Sequence, residues 1–160
     1  MKELNEEEAL YKAAAYCSLA EHCSSEVSEK LDGWGVSSDC KRRILERLVA
    51  EKYLDENRYC RFFIHDKLKY DKWGRHKIAQ ALWMKKIPSE ISAPLLEEID
   101  EDEYRSVLRS LLESKRRTLS ARNKYEMSGK LIRFALGRGF EMDEIRRCVA
   151  IKETDDWVDA

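Results

Sequence analysis

The sequence has few of the residues that break helices, with six glycines and two prolines among 160 residues. It also lacks any sustained alternation of apolar and polar residues, which is the pattern of a half-buried strand. Charged residues make up 38% of the chain and apolar residues 43%. This balance, combined with so few breakers, is typical of soluble helical proteins. We therefore predict an all-α fold.

No long uncharged apolar run and no secretory signal peptide are present, so we expect no membrane-spanning segment. The five cysteines are scattered and form no C-x-x-C pair, which favours a reducing, cytoplasmic setting. Cys17, Cys60 and Cys148 lie among apolar neighbours at helical spacing, and we interpret them as small core residues. Cys40, next to Lys41-Arg42-Arg43, is the one candidate for a redox-sensitive thiol.

Catalytic and cofactor-binding patterns are also missing. The three histidines, His22, His65 and His76, are far apart, and none pairs with a cysteine or an aspartate at metal-ligand spacing. There is no Gly-x-Ser-x-Gly motif and no Gly-rich phosphate loop. We therefore predict that the protein is not an enzyme and takes no metal or cofactor.

What the sequence does contain is a three-fold internal repeat. Three triplets, Trp34-Gly35-Val36, Lys85-Lys86-Ile87 and Arg138-Gly139-Phe140, each end an apolar helical stretch and precede a short polar step. Their third residues are 51 and 53 positions apart. A period of this size is typical of stacked units that bury their apolar faces against each other. It predicts three tandem three-helix repeats in an elongated, curved array that presents a binding surface.

The predicted repeats cover residues 6–54, 55–99 and 100–152, followed by an acidic tail at 153–160. Ser37, Asp55 and the acids from Asp100 are suited to helix N-termini. In the helix after Ser37 we expect four apolar residues to face inward: Ile44, Leu45, Leu48 and Val49. Pro88 suits the first turn of a helix, whereas Pro94 should shorten or kink it. This pattern predicts helix–turn–helix pairs. Such pairs are common in all-helical folds, so we interpret them as helix packing rather than as a DNA-recognition motif.

The net charge of −1 hides two basic blocks. Residues 58–86 hold nine Lys or Arg and two acids, and residues 104–139 hold ten and two. Between them, residues 90–103 hold seven acids and no Lys or Arg. Because local field steers a charged partner, the distribution matters more than the total. The acidic linker from Glu97 to Glu103 should face away from nucleic acid, since like charges repel.

Basic residues interleaved with aromatic ones are typical of phosphate-backbone contacts. An ordinary solvated helix surface explains the same residues equally well, and the sequence leaves both interpretations open. If the blocks bind, we expect phosphate contacts rather than base reading. The predicted binding residues are Arg75, Lys77, Lys85, Lys86, Lys115, Arg116, Arg117, Arg122, Lys124, Arg133 and Arg138.

Three stretches, Tyr53–Phe62, Trp73–Leu82 and Lys85–Pro88, resemble the middle repeat of the RecX regulatory proteins. That family has a YLD(D/E)-x-R-F/Y-A opening, a Gly-Arg/Pro-x-x-I-x-x-x-L helix and a K-(G/K)-I turn. The last repeat resembles the family's closing R-R-G-F-x-x-x-x-I pattern through residues 137–140 and Ile145. The resemblance extends from about Leu10 to Val149. The sequence departs from the pattern at three positions: Cys60 in place of Ala, Lys86 in place of Gly, and Glu144 in place of an apolar residue.

The resemblance implies a monomeric modulator of the RecA recombinase, with roles in homologous recombination, DNA repair and the SOS response. Such proteins lie along the groove of the RecA–single-strand DNA filament and restrain strand exchange and ATP hydrolysis without enzyme activity of their own. Two other hypotheses stay open. One is a stand-alone helical repeat protein that binds single- or double-stranded DNA through its basic surface. The other is an inert interaction scaffold.

Overall fold

The computed structural model of the chain describes residues 4–149, which form helices and turns with no strand among them. The predicted all-α helical fold is therefore confirmed. The helices are α1 (Glu6–Leu19), α2 (Ser24–Gly33), α3 (Ser38–Ala50), α4 (Glu56–Asp66), α5 (Arg75–Met84), α6 (Ser89–Glu97), α7 (Glu101–Thr118) and α8 (Lys124–Gly137). Residues 142–149 form a further helix, α9. The predicted acidic tail, 153–160, lies outside the described residues.

The chain divides into two compact units, which do not coincide with the repeats predicted from sequence. One unit contains the residues up to Phe63 together with Leu82–Ser92, and the other contains Ile64–Ala81 and the residues from Ala93 onward. The repeat boundaries 6–54, 55–99 and 100–152 stay a prediction.

The core of the first unit lies between α1, α2 and α3. Its buried members are small or branched apolar residues at helical spacing: Ala9, Ala13, Val27, Leu31, Ile44, Leu48 and Leu54. The Asn5 side chain accepts the Glu8 backbone N–H at the start of α1, and Ser37 caps α3 in the same way. Capping satisfies amides that have no partner within the helix. Val49, which we expected to face inward, is 53% exposed. The reason is that it lies one residue, about 100°, beyond the buried Leu48 on the same helix.

The second unit is centred on α7 and the turn between α8 and α9. Tyr104 and Phe140 are fully buried with ring centroids 5.2 Å apart. At the start of α5, Gly74 N–H donates to the Arg138 carbonyl at 2.8 Å, and His76 N–H donates to the Gly139 carbonyl at 2.9 Å. A Cβ on Gly74 would collide with the backbone of Gly139 and Phe140. Glycine therefore lets these two chain segments approach closely.

The three repeated triplets form the same helix-ending turn. Their middle residues, Gly35, Lys86 and Gly139, all adopt positive φ angles, of 76°, 62° and 93°. In each turn the third residue donates its N–H to the carbonyl five positions earlier: Val36 to Leu31, Ile87 to Leu82 and Phe140 to Ala135. This bond defines the Schellman motif, in which a left-handed residue closes the helix. The internal repeat in the sequence therefore corresponds to a repeated backbone structure.

The two prolines flank and enter α6. Pro88 lies one residue before the first helical residue rather than in the first turn, and its carbonyl accepts from Ile91 and Ser92. Pro94 lies inside α6, which is nine residues long. Pro94 leaves α6 without one backbone donor, as expected for proline within a helix.

Candidate nucleic-acid interface

Arg75, the first predicted binding residue, is engaged inside the second unit. Its Nη1 lies 2.8 Å from Glu141 Oε2, and its Nε donates to the Leu96 carbonyl at 3.1 Å. The guanidinium carbon is 4.0 Å from the centroid of the Tyr104 ring. The Arg75 side chain is 22% exposed. Its donors are therefore largely committed to the fold.

Tyr104 completes this network. Its hydroxyl accepts the Arg75 backbone N–H at 3.0 Å and donates to Glu141. Burial raises the pKa of Tyr104, and the hydrogen bond to Glu141 raises it further. The phenol is therefore a neutral hydrogen-bond donor at physiological pH, and Glu141 accepts from both this hydroxyl and Arg75.

Lys77 lies two residues after Arg75 on α5 and has a different environment. Its Nζ is 4.6 Å from the centroid of the Trp73 ring, and Lys67 Nζ is 5.1 Å from the same ring. Such cation–π contacts hold an ammonium group without neutralising it. The Lys77 backbone also packs against Gly139, which places it next to Arg138.

Arg138 and Lys115 share a second aromatic ring. The Arg138 guanidinium carbon is 5.1 Å from the Phe134 centroid, and Lys115 Nζ is 4.7 Å from it. Arg138 also donates to the Asp71 carbonyl at 3.3 Å. We call these five residues, Trp73, Lys77, Lys115, Phe134 and Arg138, the basic–aromatic strip. Within residues 4–149, none of its three cations forms a salt bridge.

Sequence reasoning missed the segment beside the strip. After α4 the chain forms one π-helical turn, Lys67–Asp71, and then Lys72 adopts a left-handed conformation with φ of 56°. Tyr70 in this turn is 67% exposed, and Lys69 Nζ is 5.4 Å from its ring centroid. Single π-turns often occur at functional sites. The alternation of lysine and aromatic residues in Lys67–Trp73 was the available signal.

A second group of predicted residues lies where α7 ends and α8 begins. We call Arg116, Arg117, Arg122 and Lys124 the α7–α8 corner. Arg117 lies 3.9 Å from Glu113, and Arg122 lies 3.0 Å from Glu126. Basic residues in the last turn of α7 also interact favourably with the helix dipole. Arg133 lies further along α8 and extends its guanidinium beside Gly129.

Lys85 and Lys86 belong to the other compact unit. Lys85 Nζ is 3.3 Å from Glu26, and the Ser25 hydroxyl donates to the Lys85 carbonyl at 2.6 Å. Partial burial of Glu26 favours its protonated form, but the Cys23 N–H and Lys85 outweigh burial and lower its pKa. Lys86 is exposed at its left-handed turn. The Lys86 side chain is therefore the more accessible of the two.

Two other kinds of feature, a metal-binding cluster and a membrane-spanning helix, are absent from the part of the chain that the structure describes. Residues 4–149 contain no cluster of three or more His, Cys, Asp or Glu side chains that could hold a metal ion. None of their helices is long and apolar enough to cross a bilayer.

Two family models match the chain. Residues 55–93 match the second three-helix domain of RecX, and residues 101–149 match the third. The chain belongs to the RecX family. It is 32% identical over 120 residues to the regulatory protein RecX of Clostridium perfringens strain 13. The alignment covers 74% of this chain and 56% of the relative. The chain thus spans just over half the length of that relative.

Further comparisons agree with this membership. The RecX of Prosthecochloris aestuarii is 30% identical over 100 residues, covering 62% of this chain and 66% of the relative. The crystal structure of RecX from Lactobacillus salivarius superposes with a TM-score of 0.81 at 20% identity, covering 94% of this chain and 96% of that one. This structural likeness confirms the helical repeat fold of the RecX family. These curated relatives are named regulatory proteins.

Proposed function

We propose that this chain is a non-enzymatic regulator that binds the RecA–single-strand DNA filament and inhibits its ATP hydrolysis and strand exchange. Family membership supports the regulatory part of the proposal. The single observation that carries the binding part is the basic–aromatic strip, in which three cations lie on aromatic rings and none is neutralised by a carboxylate of the described residues.

The strip suits a polyanionic surface for a physical reason. Lys77 and Lys115 each rest on a ring, so their charges are positioned without being paired. A phosphate that approaches them displaces counterions rather than breaking a salt bridge within the protein. Arg138 adds a planar group that donates to two oxygens of one phosphate at once. The α7–α8 corner extends the same positive field within the second unit.

A recombinase assay tests this proposal. Purified protein is added at sub-stoichiometric levels to RecA and single-stranded DNA, and ATP hydrolysis is followed. The parent should slow hydrolysis, and the double variant Lys77→Gln/Lys115→Gln should need about tenfold more protein for the same effect. The matched control is Arg42→Gln/Arg47→Gln, which removes the same charge from α3, where both arginines are paired with glutamates. Unchanged hydrolysis at parent levels equal to the recombinase contradicts the proposed function.

The strip also favours the second candidate, a stand-alone nucleic-acid-binding protein, because unpaired cations bind free DNA as well. Salt dependence separates the two. Direct phosphate binding weakens steeply with salt on a log–log plot, whereas a contact with the recombinase itself weakens less. Binding to the filament with a shallower slope than binding to free DNA favours the regulator.

A further inference from the structure

Helix α8 carries an apolar stripe that the described residues cover only in part, with its two ends exposed and the two residues between them partly buried. Its members are Tyr125, Gly129, Ile132 and Leu136, and we call them the α8 seam. Tyr125 is 90% exposed and Leu136 is 41% exposed. The buried positions of the same helix, Ser128, Leu131 and Ala135, lie on the neighbouring flank. Two adjacent flanks of α8 are therefore apolar, and the fold fully buries only one of them.

The spacing of the seam is that of a helix-pairing surface. Its residues follow each other by four, three and four positions, which is the alternation of knob positions in paired helices. A groove of about 820 Å³ runs along it and is lined by Tyr125, Gly129 and Ile132 among others. Gly129 forms a gap in the stripe, because a side chain there would extend into open space bounded by Arg133. A small residue in such a row lets a second backbone approach closely.

Charge in the lining of the groove indicates the kind of partner. The charged residues that line the groove are Arg122, Glu126 and Arg133. Glu126 is held by Arg122 at 3.0 Å and by Lys130 at 3.4 Å. Arg133 has no salt bridge within the described residues. The charged lining is therefore net positive, and Arg133 lies beside the glycine gap.

These features favour a protein over nucleic acid. Glu126 already pairs with Arg122 and Lys130, which leaves Arg133 as the lining cation that forms no salt bridge within the described residues. The apolar stripe offers four contact positions to a partner helix. The cations that form no salt bridge within the described residues are concentrated in the basic–aromatic strip rather than in this groove. We propose that the α8 seam binds an amphipathic helix of a protein partner, with apolar residues packed over Gly129 and an acidic residue paired with Arg133. This inference rests on the proposed function, because the partner to be tested is the recombinase filament.

Two glycines of α8 provide a test that does not depend on weakening the fold. Gly129→Leu fills the groove, while Gly137→Leu makes the same change at the last residue of the helix, where a new Cβ meets nothing within 4 Å. Leucine has a higher helix propensity than glycine, so neither variant should unfold the protein. Circular dichroism checks that both keep the parent helicity. Binding of each labelled full-length chain is then measured to preformed RecA–single-strand DNA filaments and to the same DNA alone.

Gly129→Leu should weaken filament binding about tenfold or more, as expected when the centre of an interface is blocked. It should bind free DNA as the parent does, and Gly137→Leu should match the parent in both assays. Parent-like filament binding by Gly129→Leu overturns the inference and leaves the proposed function intact. If Gly129→Leu weakens binding to free DNA equally, the groove binds nucleic acid. If the parent sediments as a dimer and Gly129→Leu as a monomer, the groove binds a second copy of the chain. Either result overturns the inference. A parent that fails to bind filaments overturns the proposed function and the inference together.

Discussion

The role of a basic side chain in this protein is set by what lies within a few ångströms of it. Arg75 and Lys77 are two positions apart and were predicted as equivalent binding residues. Arg75 bonds to Glu141 and Leu96, whereas Lys77 rests on Trp73 with its charge unpaired. Their partners lie elsewhere in the chain, so no local pattern distinguishes the two. Only the tertiary fold separates a structural cation from an accessible one.

This difference predicts opposite outcomes for two alanine substitutions. Arg75→Ala leaves Glu141 without its cation in a largely buried setting and should lower the free energy of unfolding by about 2 kcal/mol. Lys77→Ala removes a cation–π contact and should change it by less than about 1 kcal/mol. Urea unfolding followed by circular dichroism measures both. If the two variants prove equally stable, the Arg75 network does not support the fold.

At the scale of elements, the sequence predicts what local chemistry decides. The N-terminal ends of α3, α4 and α7 follow from Ser37, Asp55 and Asp100, because capping depends on one side chain and the next three amides. The π-turn at Lys67–Asp71 was not predicted, since it inserts a residue into a helix without a characteristic side chain. The basic–aromatic strip was predicted in part. Lys77, Lys115 and Arg138 carry the expected charge, but their alignment depends on Phe134 and on close packing at Gly139.

The repeated Schellman turn yields a prediction of stabilisation. Lys86 occupies the left-handed position that glycine occupies at Gly35 and Gly139. A residue with a Cβ is strained there, so Lys86→Gly should raise the free energy of unfolding by about 0.5–1 kcal/mol.

The corresponding substitution in the opposite direction is Gly139→Ala. It adds a Cβ at a φ of 93° and against the Lys77 backbone, so it should destabilise by about 2 kcal/mol or more. Thermal unfolding of both variants beside the parent provides the measurement. A destabilised Lys86→Gly variant would mean that the lysine side chain makes a compensating contact in its turn.

For the molecule as a whole, a net charge of −1 conceals two chemically different surfaces within the second unit. Within residues 4–149, the strip holds cations that rest on aromatic rings and form no salt bridge, while the α8 seam offers an apolar groove in which Arg133 forms none. A filament of recombinase on DNA presents both kinds of surface, protein and phosphate. A regulator that contacts both would bind the filament better than either component alone. Under the two proposals together, the strip would meet phosphate while the α8 seam meets protein.

The α7–α8 corner tests whether long-range charge contributes beyond these contacts. The triple variant Arg116→Gln/Arg117→Gln/Arg122→Gln removes three charges near the turn between two helices and leaves the buried residues of α7 and α8 in place. The variant should keep the parent circular dichroism spectrum but bind the filament more weakly at low salt. If each arginine meets a phosphate, the slope of log affinity against log salt should fall by about 2. The control variant, Arg42→Gln/Arg43→Gln/Arg47→Gln on α3, has the same net charge and also removes arginines that are paired with glutamates. It therefore differs from the test variant in position, and it should retain the parent slope because a cation that meets no phosphate releases no counterion on binding. Equal slopes for the parent and both variants would show that the corner only keeps these helices soluble.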